Sequence, residues 1–80
     1  MSSEKEKIEI LNSMTRIIDE KAAKYKNERK GMNSARVFSE KKLILDSIDD
    51  AIRLAKSIHP VPQDLISDLE KLSKQLLQMI

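Results

Sequence analysis

Asp46, Asp49 and Asp50 stand within five residues of one another and form the acidic cluster of this 80-residue chain. Neighbouring carboxylates can hold a divalent cation or move protons. Here, however, Lys42 precedes Asp46 by four residues and Arg53 follows Asp49 by four. That is the spacing of ion pairs on a solvated helix face, and it accounts for the cluster without any chemistry. His59 is the single histidine and there is no cysteine, so a histidine–cysteine zinc set has no donors. A lone glycine, Gly31, leaves nothing for a phosphate-cradling loop or a glycine-flanked serine turn. The sequence therefore assigns no catalytic, cofactor-binding or metal-binding residue. The expectation is a protein that is not an enzyme and has no small-molecule substrate.

Charge and aromatic residues point elsewhere. Residues 1–20 carry three bases and five acids, residues 21–42 eight bases and two acids, and residues 43–80 four bases and six acids. The net charge of +2 thus hides a middle stretch of +6 between two stretches of −2. Tyr25 and Phe38, the chain's one tyrosine and one phenylalanine, both fall in that basic stretch. Cationic side chains around an apolar patch supply long-range attraction and contact area together. The candidate contact residues are Tyr25, Met32, Val37 and Phe38, with Arg29, Lys30, Arg36, Lys41 and Lys42 as a charged rim. A solvated hairpin end closed by its own two aromatics is the plain alternative. Leu43 and Leu54 form a second candidate, since a helical wheel turns both away from Leu45.

These residues need helices to position them. Apolar residues make up 40% of the chain, and 19 of those 32 are Ile or Leu, enough for one small core. One glycine and two prolines leave little material for strands and turns. No run of about 18 apolar residues is present, so no membrane span is expected. The charged start, Met1 to Lys7, does not read as a signal peptide. With no cysteine, a cytoplasmic location is the expectation.

Ser3-Glu4-Lys5-Glu6 is a capping-box pattern that opens a helix over about 4–29. Ile8, Leu11, Met14, Ile18, Ala22 and Tyr25 follow at helical steps, with Ile10 and Ile17 widening the stripe on one flank, and Gly31 is the expected left-handed stop. Asn33 or Ser34 caps a second helix over about 34–59, ended by Pro60. A third helix, about 63–79, carries Leu65, Leu69, Leu72, Leu76 and Met79 at alternating four- and three-residue steps. Folding the first two helices back about Gly31 pairs residues whose numbers sum to 63, including Leu11 with Ile52 and Tyr25 with Phe38.

The reading is all-α: an antiparallel three-helix bundle, a long helical hairpin plus a shorter third helix, forming a single domain over 1–80. The third helix is too short to reach the Gly31 end. The functional expectation is a small protein-interaction module that binds a partner protein or itself through that basic, partly apolar end. A nucleic-acid-binding accessory protein using the same end is the alternative. In shape alone, the arrangement loosely resembles small helical immunity and accessory proteins of bacteria, which gives a third reading.

Overall fold

The computed structural model describes residues 3–79 and shows a small all-α bundle. Helix α1 spans Glu4–Glu28, α2 spans Ser34–Lys56 and α3 spans Gln63–Gln78. No strand occurs among the described residues. Helices α1 and α3 both pack on α2, which lies at the centre.

Local chemistry sets the helix starts. The Ser3 hydroxyl accepts from the Glu6 N–H at 3.1 Å, the serine half of the capping box. Asn33 is the cap of α2, and its side-chain oxygen accepts from the Arg36 N–H at 2.8 Å. Pro62 stands at the N-cap of α3, where its missing N–H removes no helical bond.

The helix ends depart from the sequence reading. Gly31 is not left-handed, and no residue among those described has a positive φ. Instead α1 tightens into a 3₁₀ turn, Arg29–Gly31, closed by the Met32 N–H donating to the Arg29 carbonyl at 3.2 Å. Helix α2 stops at Lys56, three residues short of His59. There the Ser57 hydroxyl donates to the Leu54 carbonyl at 2.7 Å, taking a carbonyl that the next turn would have used.

The core follows one stripe on each helix. Leu11, Ile18, Ala22 and Tyr25 are buried on α1, and Ile44, Ile48, Ala51 and Ala55 on α2. Helix α3 contributes Ile66, Leu69 and Leu76. Ile66 rather than Leu65 is the buried residue at its start, while Leu65 and Leu72 pack at the edge. Each large aliphatic side chain enclosed in this way contributes about 1.5–3 kcal/mol of transfer free energy. Ala51 and Ala55 are fully enclosed and put little bulk between α2 and its neighbours.

The Pro60 end is tied by polar contacts. The Glu4 carboxylate accepts from the His59 N–H at 2.9 Å and pairs with Lys7 at 3.4 Å. Lys7 also donates to the Ser57 carbonyl at 3.3 Å. The first turn of α1 is thereby fastened to the chain leaving α2. Residues 4 and 59 do sum to 63, so the antiparallel register follows the ladder read from the sequence.

Candidate protein-interaction surface at the Gly31 end

Helix α3 decides what the Gly31 end looks like. It is 16 residues long against 25 for α1 and 23 for α2, so it spans about 24 Å where they span about 35–38 Å. Its last turn is held by Lys41, whose Nζ donates to the Met79 carbonyl at 2.7 Å. This is where the lysine stem runs along the apolar flank and delivers its charge to the negative end of α3. On the α1 side, Lys26 Nζ donates to Gln75 Oε1 at 3.2 Å. Among the described residues α3 ends at Gln78, close to these two contacts.

The consequence is visible along one flank of α2. Leu45 and Phe38 are one heptad apart and so face the same way. Leu45 packs against the core, but Phe38 is 69% exposed. A concavity of about 460 Å³ lies there, lined by Arg29, Lys30, Met32, Ser34, Val37, Phe38 and Lys41. Six of the nine residues singled out from the sequence thus share one groove: Arg29, Lys30, Met32, Val37, Phe38 and Lys41. Met32 and Val37 pack against the core and form its floor.

The other three are placed differently. Tyr25 is 2% exposed, enclosed in the core rather than displayed at the tip. It does not stack on Phe38 as the residue ladder expects. The ladder fixes the level of a residue along the hairpin and not its direction around the helix. Tyr25 lies on the inner stripe of α1, whereas Phe38 lies far round α2 on the flank that α3 abandons. The Tyr25 hydroxyl is buried with no hydrogen-bond partner among the described residues. One edge of its side chain borders a second concavity, of about 150 Å³, shared with Lys21, Lys24, Met32, Arg36 and Glu40. Arg36 is therefore on the opposite side of Met32 from Phe38. Lys42 is not among the residues lining the groove and pairs with Asp46 at 3.3 Å, the i,i+4 pair expected of a solvated face.

Ser34 lines the Phe38 groove without having been singled out, and the seven-residue step from Ser34 to Lys41 was its signal. Among the acidic residues, Arg53 reaches Asp50 at 3.6 Å rather than Asp49. No three acidic or histidine side chains among the described residues stand close enough to share a metal ion. Nor does any helix of the described residues have the length and apolarity to cross a membrane. Leu43 is 57% exposed as the wheel expects, but Leu54 is half-buried against the core.

One group has a displaced acidity. The Glu4 carboxyl is held below its ordinary value, first by the His59 N–H it accepts from and then by the hydrogen bond and charge of Lys7. It belongs to the closed end and not to the groove.

No protein-family model, no curated protein and no solved structure matches this chain. The functional reading therefore rests on the geometry of the groove.

Proposed function

We propose that this chain is a non-enzymatic helical module that binds another protein through the groove at the Gly31 end. The observation that carries the reading is the contrast between Leu45 and Phe38, one heptad apart on the same flank, the first packed against the core and the second 69% exposed. A large aromatic side chain on an apolar floor of Met32 and Val37 is the anchor. Lys30 stands beside it at the rim of a stretch with a net charge of +6, which favours an acidic segment. The partner lies along the stretch of α2 that α3 leaves bare, presenting an apolar side chain to Phe38 and carboxylates to the rim.

Photocrosslinking tests this reading in cells. Benzoylphenylalanine in place of Phe38 is expected to trap a discrete adduct, identified by mass. The same probe in place of Leu77, which is 61% exposed on α3, is expected to trap none. Phe38→Ala then weakens capture of the trapped protein by tenfold or more, with unchanged helicity. Equal adducts at both positions, or none at either, would remove the groove as a binding site.

A second reading, binding of nucleic acid, is favoured by the eight bases between Lys21 and Lys42. Titration against duplex DNA and single-stranded RNA at low salt separates the two. Counterion release makes such binding fall steeply as salt rises. An absence of binding at about 50 mM salt ends the nucleic-acid reading and leaves the protein reading standing.

A further inference from the structure

The side of the hairpin turned away from α3 has its own pattern. On α1, Ile10, Met14 and Ile17 follow one another at steps of four and three. Met14 and Ile17 line a shallow concavity with Ser47 and Asp50 of α2, to which α3 contributes nothing. Thr15 and Asp19, on the opposite flank of α1, are the residues that share a groove with α3. Ile10 and Ile17 are 49% and 48% exposed, and Leu43 on the neighbouring line of α2 is 57% exposed. These side chains form an apolar band across the middle of a face that α3 does not cover among the described residues.

We propose that this face is the interface of an antiparallel homodimer. Charge is the argument for a second copy. Residues 21–42, at the Gly31 end, hold eight bases against two acids. The rest of the chain holds seven bases against eleven acids. The rod is 42 Å long, so a net +6 toward one end is set against a net −4 over the remainder. Two such rods laid side by side in parallel set like against like. Turned end for end, each basic half meets an acidic half.

The two-fold arrangement fits the residues. With the dyad over the level of Thr15, the apolar bands of the two copies meet at the centre. Glu6, nine residues before Thr15, and Lys24, nine residues after it, then stand opposite one another across the interface, twice. Phe38 lies on the other side, so a dimer of this kind leaves its groove open. The proposal is independent of the partner reading given above.

Sedimentation equilibrium of the full chain, from micromolar to near-millimolar concentration, tests it. The dimer mass is expected at the upper end, with dissociation favoured by added salt. Ile17→Glu is expected to raise the dissociation constant a hundredfold or more, with unchanged helicity by circular dichroism. Leu77→Glu on α3 and Phe38→Ala leave it unchanged. Glu6→Lys and Lys24→Glu each weaken the dimer, and the double exchange restores it, which only the antiparallel arrangement allows. A monomer throughout the range overturns the proposal. So does a dimer that Ile17→Glu leaves intact, or one that the double exchange fails to restore.

Discussion

The two ends of the bundle are built from similar material and finished in opposite ways. At the Pro60 end, Ile58 is buried, and Glu4, Lys7, Ser57 and His59 lock the first turn of α1 to the chain leaving α2. At the Gly31 end, the aromatic side chain that would have made the last layer of core stands in solvent. The difference lies in the length of α3. Among the described residues α3 ends where Lys41 reaches the Met79 carbonyl, and Phe38, a heptad from the core-packed Leu45, is left 69% exposed. One end of the hairpin is thus spent on stability, and the other is left available for contact.

Alanine at each end gives the largest separation. Ile58→Ala opens a cavity in a closed layer and is expected to cost about 2–5 kcal/mol in chemical denaturation, a large share of the stability of so small a domain. Phe38→Ala removes a larger side chain and is expected to change stability by less than about 0.5 kcal/mol, because that side chain touches little within the monomer. Comparable losses at the two positions would mean that the Gly31 end is closed.

Tyr25→Phe comes next. Its hydroxyl is buried without a partner, and such a group costs about 1–3 kcal/mol. Removing it is expected to raise the midpoint of thermal unfolding. A fall would show that the hydroxyl is hydrogen-bonded after all.

Gly31→Ala is a smaller test of how α1 ends. The residue is not left-handed, and a Cβ there would meet nothing within 4 Å. Alanine reduces the freedom of the unfolded chain, so a gain of about 0.4–1 kcal/mol is expected. A clear loss would restore the left-handed stop that the sequence suggests.

The exposed Glu4 has the smallest effect, confined to acid. Its carboxyl is held below the ordinary 4.5 in the folded state, chiefly by the His59 N–H. The carboxylate's contribution is therefore complete above the unfolded-state value and is lost as pH falls through the lower folded one. Glu4→Gln is expected to flatten that part of the stability profile, measured by denaturation between neutral pH and acid. An unchanged slope would mean that Glu4 does not hold the closed end.

Much of this was legible in the residues. Ser3, Asn33 and Pro62 mark the helix starts because capping and the missing proline N–H act over a few residues, whereas α2 ends at Lys56, before Pro60 is reached. The central position of α2 follows from an apolar stripe broad enough to take a neighbour on each flank. Lys41 could be placed at the end of α3 from counting alone. Other features depend on direction around a helix, which a one-dimensional ladder does not contain. Tyr25 and Phe38 share a level but differ in azimuth, and so one is enclosed and the other bare. Gly31 permits a left-handed stop without requiring it, and a 3₁₀ turn closed by Met32 and Arg29 serves instead. Leu54 looks outward on a wheel, yet it is partly buried against the core.

The central claim is that Tyr25 is inside and Phe38 outside at the end α3 does not reach. The chain has no tryptophan, so one can be introduced as a reporter at a time. Phe38→Trp is expected to emit as far to the red as free tryptophan and to be quenched nearly as readily by acrylamide, with helicity unchanged. Blue-shifted, protected emission from position 38 in the monomer would contradict the open groove.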